Sequence, residues 1–557
     1  MNSKPKSFLL SIAILFPVVI YLIYVIANAV PVFFADDFHL LKTIVWGQEA
    51  PTLSEKYMLL IQQHNEHRIL IPRLLTWVDY LLEGSINWVS LIVFGNLLWI
   101  GTLWFFWRAF KALDVPYWLF IPLPWILFQP QYYDNVTWTI SILQQSVIVF
   151  WFSLIAFLCA QGKYRWAVAV AVLATFTHGN GIFSFVVIGA IIVLERKWKE
   201  AIICFVVMVL VALHYFWDFG KGPNADFMRS LSNPVRLVAS FFAFFGTMTK
   251  VLLANPLYAA ALGAVLFLIP ALYLLPRFFT VFRKPLSLTF FDKILLGNLL
   301  FLAITGALVS VSRSWGGIET IIAPRYQHYS PYVSAWTYLV LVRLTAGYLR
   351  NAVGLVFLLG GIAFNGLAYF VYDQEIKLRR NWLLADDTNW TNHKRFLQYN
   401  DFFNDNVINE YSQAQSRGIC TTRSHFKPLG TYNLGSRVVP IDFSTNEFVM
   451  EAADWREEHQ NLRITNTTLE ADHVFLCFKS NNRKEYWVPV QKYRTSVMNF
   501  LTTGSHYKPG FITDLLPENL APAEYRIGVL VGNTFYWTDS RVVIQADKSV
   551  LIKKGTI

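Results

Sequence analysis

"SFLLSIAILFPVVIYLIYVIANAVPVFFADDFHLL", residues 7–41, decides the fold. No charge interrupts it from Phe8 to about Val30, enough helix to cross a hydrocarbon core of about 30 Å. The run is too long for a signal-peptide core and no small-residue cleavage site follows, so it reads as a retained span. Lys4 and Lys6 precede it, which predicts a cytoplasmic N-terminus. Just past the far end stand two adjacent acids, Asp36 and Asp37, at the outer edge of a bilayer, where charge is costly to desolvate.

The rest of the chain repeats this pattern. Of 557 residues, 55% are hydrophobic and 15% charged, a balance that excludes a disordered tail and a soluble enzyme. Apolar runs of about 20 residues recur to about residue 373. Basic turns separate them: "WRAFKAL" 107–113, "GKYRW" 162–166, "ERKWKE" 195–200, "RFFTVFRK" 277–284 and "RLTAGYLR" 343–350. Assigned to the cytoplasm, these turns leave 31–85, 129–138, 178–181, 218–236 and 313–328 outside. The parity of crossings makes 237–253 an interfacial or re-entrant helix, giving about eleven spans. The net charge of +11 lies largely in such turns; it reads as topology signal and contact with membrane lipids, not as a nucleic-acid footprint.

From about Asp373 the composition turns polar, and "EYRIGVLVG", "FYWTDSRVVIQA" and "LRITNTTLEADHVFLCFKS" alternate with period two between Asn, Gly and Pro turns. That predicts strands, and a small β-sandwich at 374–557 after a polytopic α-helical domain at 1–373. Residues 374–440 open with a helical pattern. Cys420 and Cys477 can pair if this domain is extracytoplasmic, though no framework spacing supports it; Cys159 and Cys204 lie in apolar runs. No Walker loop or dinucleotide fingerprint occurs, which argues against a nucleotide-driven pump.

The chemistry-bearing groups fall on one predicted side. They are Asp36 and Asp37; His64, Glu66, His67 and Arg68 in "HNEHR"; Asp134 and Asn135 in "YYDNVTW"; His178 and Asn180 in "THGNG"; and Arg313, Arg325, Tyr326 and His328 in "SRSWGGIETIIAPRYQHY". Each has a bland alternative: solvated loop acids, a charged turn, a tight turn, or an arginine snorkelling to headgroups. Adjacent acids point different ways, so at most one faces a shared site, where a carboxylate is a candidate general base. A guanidinium beside a span is a candidate phosphate clamp. His64 and His67 stand three apart, but two histidines alone make a weak metal site. Acids, bases and phosphate binders outside the cytoplasm point to chemistry on a phosphorylated lipid.

In order and sidedness, "FFADDFHLL", "NEHRILIPRLL", "QPQYYDNVTWTISILQQ", "HGNG" and "APRYQHYSPY" resemble the GT-C class of membrane glycosyltransferases. Within that class they are similar to the bacterial enzymes that modify O-antigen, including serotype-converting glucosyltransferases. The resemblance covers residues 1–373 and implies juxtamembrane helices in 31–85. It implies transfer of a sugar from a polyprenyl-phosphate donor to a cell-envelope glycan, at the outer face of a bacterial inner membrane, with the C-terminal domain periplasmic. Asp37 or Asp36 would be the base. Arg325, Tyr326, His328, Arg313 and Arg68 would hold donor phosphate, and His64, Glu66, His67, His178, Asn180, Asp134 and Asn135 would line the substrate. No cofactor is certain; a divalent metal, Mg or Mn, serves some members and not others. A flippase for lipid-linked saccharide or an O-antigen ligase or polymerase would use a similar cavity. A flippase would also need polar groups through the spans and at inner mouths.

Overall fold

The computed structural model describes residues 4–220, 222, 225–281, 288–451, 456–470, 473–482 and 484–554. The end of "RFFTVFRK" and parts of 218–236 and of 462–480 lie outside the described residues. Among the described residues, seven helices are long and apolar enough to cross a membrane: Phe8–Asn28, Trp88–Lys111, Thr139–Ala160, Trp198–Tyr215, Pro256–Arg277, Phe290–Gly316 and Gly347–His393. Large side chains such as Phe205, Leu210 and Leu213 stay exposed on them, a surface suited to lipid rather than water, and the chain is a membrane protein.

Three shorter apolar helices, Tyr164–Thr175, Gly179–Leu194 and Pro234–Phe245, stand beside these seven. Local chemistry accounts for the shortening. "THGNG" divides 164–194. Pro116, Pro122 and Pro124 break the run after Lys111 into a 3-10 turn, Tyr117–Phe120, and a helix, Pro122–Leu127. Residues 237–253 become the end of Pro234–Phe245 and a 3-10 turn, Thr247–Val251, joined at Gly246.

The chain forms two compact units. The first takes Met1–Ala29, Ala50–Val78 and Val89–Tyr372; the second takes Val30–Glu49, Asp79–Trp88 and Asp373–Ile557. The second thus holds two pieces of the first loop that the sequence reading gave to the membrane domain. In the first unit, small residues set the closest approaches. A side chain at Gly246 would run into the Ala259 carbonyl, and one at Gly263 into that of Phe242, so these helices pack backbone to backbone. Gly297 sits against Ala156, beside Phe152 and Phe301 stacked at 3.4 Å between centroids. This unit also holds a two-stranded hairpin, β1 (Gln63–His64) and β2 (His67–Arg68).

The second unit is built on two sheets, antiparallel apart from the parallel pairing of its first short strand. Its strands are β3 (Asn433–Leu434), β4 (Asp442–Glu451), β5 (Arg456–Asn466), β6 (Val474–Ser480), β7 (Glu485–Pro489), β8 (Gln491–Arg494), β9 (Tyr507–Leu515), β10 (Ala523–Val531), β11 (Thr534–Ile544) and β12 (Val550–Lys554). One sheet runs β12-β11-β10-β6-β7, with β3 added beside β11, and the other runs β4-β5-β9-β8. Alternate residues of both, among them Leu462, Ile464, Phe511, Leu476, Phe478, Ile527 and Val542, make one buried core. The first-loop segment belongs here because Phe33 packs edge-on against Phe396 and Tyr411, and Arg417 donates to the Val45 carbonyl at 3.2 Å. Cys420 and Cys477 are both buried and free, as are Cys159 and Cys204.

Candidate functional site

The β1–β2 hairpin begins the site. Asn65 takes the left-handed turn position at φ +49°, a conformation asparagine tolerates, so that His64 pairs with His67. Gln63 pins the turn through Nε2 to the Gly220 carbonyl at 3.0 Å and by accepting the Gly220 N–H at 2.8 Å. Arg68 is buried, and its guanidinium donates to the carbonyls of Tyr215 (2.5 Å), Ile61 (2.6 Å) and Trp217. Expected on donor phosphate, Arg68 is instead committed to carbonyls at and just past the ends of two helices, Leu53–Ile61 and Trp198–Tyr215. Arg73 does the same for Leu60 and Gln62.

The "THGNG" turn lies against this hairpin. The His67 and His178 rings meet at 4.1 Å between centroids. Gly179 makes that possible: a Cβ there would stand 2.5 Å from His67 Nδ1 and 3.1 Å from the Tyr215 hydroxyl. His178 Nδ1–H donates to Asn180 Oδ1 at 2.7 Å, and the Asn180 amide donates to Thr305 Oγ1 at 3.0 Å. That fixes the tautomer, leaving His178 Nε2 to accept from Gln145 Nε2 at 3.1 Å. Gln145 lies in a π-helical turn, Ile142–Ser146, inserted in an otherwise apolar helix, and such bulges are frequent at functional sites.

A second relay runs beside the first. Ser141 Oγ donates to Asn135 Oδ1 at 2.6 Å, and Asn135 Nδ2 donates to the Arg325 carbonyl (3.0 Å) and to His328 Nδ1 (2.9 Å). Asp134 is buried in the first turn of helix Asp134–Thr137. Arg313 pairs with Glu66 at 3.3 Å, and the Arg325 guanidinium lies 5.2 Å from the centroid of Tyr326.

Charge in this cluster is uneven. Burial holds His67 and His328 down to about 3, and pushes His178 well below its ordinary value, with the charge of Arg313 adding to the effect on His67 and His178. All three imidazoles are neutral near pH 7. Burial alone would raise the Tyr326 phenol, yet the charges of Arg313 and Arg325 outweigh it and hold the group below its usual range. Two guanidinium groups whose charge reaches a buried phenol, set among neutral imidazoles and amides, make an environment that favours an anion.

The first unit therefore brings His67, Glu66, His178, Asn180, Asn135, Arg313, Arg325, Tyr326 and His328 together. His64 is buried in the hairpin beside them. Asp36 and Asp37 belong to the second unit. There Asp37 is 1% exposed and accepts the Phe34 N–H at 3.1 Å, capping the 3-10 turn Ala35–Asp37, while Asp36 is half-buried. Gln145, Ser141 and Thr305 carry the relays and had no assigned role from sequence. Their signal was a polar residue inside an apolar run. Among the described residues, no three His, Cys, Asp or Glu side chains gather as a metal site would require. No family model, no curated protein and no solved structure matches the chain.

Proposed function

We propose that the chain is a multi-span glycosyltransferase that moves a sugar from a polyprenyl-phosphate donor to a hydroxyl of a cell-envelope glycan, O-antigen or lipopolysaccharide, at the outer face of a bacterial inner membrane. The observation that supports it most is the cluster in which the charges of Arg313 and Arg325 hold the Tyr326 phenol below its usual range, beside Glu66 and neutral His67, His178 and His328. In the transfer, the acceptor O–H gives up its proton, its oxygen bonds to the anomeric carbon, and the bond from that carbon to phosphate oxygen breaks. The electron pair leaves on phosphate. Arg313 and Arg325 are the groups suited to that growing charge, and of the neutral imidazoles those of His67 and His328 each keep a buried ring nitrogen without a hydrogen-bond partner among the described residues. The base comes from the resemblance alone, Asp36 or Asp37; Asp37 already serves as a cap.

The test supplies purified protein with a panel of polyprenyl-phosphate sugars and envelope glycans. Arg325→Ala and one of Asp36→Asn and Asp37→Asn should lose transfer while keeping the wild-type unfolding profile. Full transfer by all three would refute the assignment, and product that retains the donor's anomeric configuration would refute single displacement with an aspartate base.

A further inference from the structure

One face of the six-stranded sheet carries a row of cations. Lys479 on β6 stands directly opposite Arg526 on β10, Arg526 opposite Arg541 on β11, and Arg541 opposite Lys553 on β12. Directly paired residues share a face, with Cβ atoms about 5 Å apart. The next register row, Ser480, Tyr525, Val542 and Ile552, turns the other way, its apolar members packing into the core between the sheets. The four cations therefore look outward. Like charges placed directly opposite destabilise a sheet, and here three such pairs follow in succession.

Two carboxylates offset the row only in part. Glu485 pairs with Lys479 at 2.9 Å, and Glu524 bridges Arg541 (2.9 Å) and Lys553 (3.0 Å). Arg526, in the middle, makes no ion pair among the described residues. Its guanidinium lies 4.1 Å from the centroid of the partly buried Trp537 ring. Partial burial and the charge of Arg541 lower its affinity for its proton, as expected in a field left positive.

We propose that this row is a binding rail for an acidic polysaccharide, a linear glycan carrying a carboxylate or phosphate on successive sugars. Strands about 4.8 Å apart set the cations in a straight line, stepped at an interval comparable with one pyranose ring in an extended chain. Trp537 borders the line and holds Arg526 in place, and the Arg526 guanidinium makes no hydrogen bond to a neighbouring side chain among the described residues, so its donors are left for an anion. An anionic bilayer presents charge in two dimensions and calls for a broad patch with protruding apolar anchors; a single file of cations fits a polymer better. The inference does not rest on the transferase reading, because binding is measured with a polymer that no transfer step consumes.

The experiment uses the full chain in phosphatidylcholine nanodiscs, with fluorescein-labelled polygalacturonate as probe and dextran as the uncharged comparison. Fluorescence anisotropy should show binding of polygalacturonate and not of dextran, weakened by salt. Arg526→Gln/Arg541→Gln should weaken it roughly tenfold, and Lys427→Gln/Lys508→Gln, with the same charge change elsewhere on the unit, less than about twofold. Glu524→Gln should tighten binding about threefold, a gain that a misfolded variant would not give. Equal affinity in the two double variants, or no tightening in Glu524→Gln, would overturn the proposal. So would capture of phosphatidylglycerol vesicles that depends on Arg526 and Arg541 when polygalacturonate binding does not, since the face would then be a membrane dock.

Discussion

Three glycines in one stretch of chain, each changed to alanine, should behave in three different ways. At Gly181 the new Cβ would strike the Ala174 carbonyl and stand 2.6 Å from the Thr175 N, all main chain at the end of a helix, so no side chain can yield. Overpacking of this kind costs more than about 3 kcal/mol, at the upper end for single substitutions. At Gly179 the obstacle is His67 Nδ1 at 2.5 Å, which must retreat about 0.9 Å to reach an ordinary 3.4 Å contact. The ring can turn, but only by leaving its 4.1 Å contact with His178, so the cost is about 1–2 kcal/mol and falls on the site. At Gly189, inside helix Ser184–Leu194, a Cβ meets nothing within 4 Å, and alanine should stabilise the helix by about 0.5–1 kcal/mol. Thermal unfolding of the detergent-solubilised protein, followed by tryptophan fluorescence, should rank the variants Gly189→Ala, wild type, Gly179→Ala, Gly181→Ala. Gly181→Ala unfolding at the wild-type midpoint would refute the packing described for "THGNG".

Other perturbations separate the two units. Arg68→Lys leaves at least two of three carbonyls without a charged donor and should destabilise the hairpin by about 2–4 kcal/mol, seen as faster proteolysis within residues 61–68. His67 and His328 bind a proton near 3 when folded and near 6.5 when unfolded, so the unfolded state takes up more protons between those values. The first unit should therefore lose stability below pH 6.5, by about 1.4 kcal/mol per pH unit for each histidine, with amide exchange around 64–68 accelerating in parallel. Asp386 has the opposite sign. It accepts N–H groups of Leu397 (2.7 Å) and Gln398 (3.2 Å), yet burial raises its carboxyl to about 7. Its contribution is full below pH 4 and is lost as the pH rises through 7, so exchange at Leu397 and Gln398 should quicken from pH 5 to 8.

Periodicity and charge made much of the architecture legible. The run from Phe8 reads directly as a helix, and the alternation in "EYRIGVLVG" and "FYWTDSRVVIQA" matches β10 and β11. Both signals depend on which atoms meet water or oil, and a window of sequence carries that information. Helix length was less legible, because proline clusters and the close-packed glycines at "THGNG" and Gly246 act through contacts with other segments. Gln145 was harder still. A glutamine in an apolar run announces that it needs a partner, but not that a π-helical turn will aim it at His178.

Sidedness gathered the polar groups by one coordinate, depth across a membrane, and packing sorts them by another. Arg68 shows the difference. It has the residue type and the position expected of a phosphate clamp, but an arginine between two helix ends satisfies backbone carbonyls first, since a buried carbonyl without a donor costs about as much as a lost hydrogen bond. Arg313 and Arg325 are different. Arg313 pairs with Glu66 and Arg325 lies beside Tyr326, and together their charges outweigh burial and hold that phenol below its usual range. The same test, asking what remains after internal partners are counted, finds Asp37 capping its own turn and singles out Arg526 on the second unit's sheet. Function is best sought where that remainder is not zero.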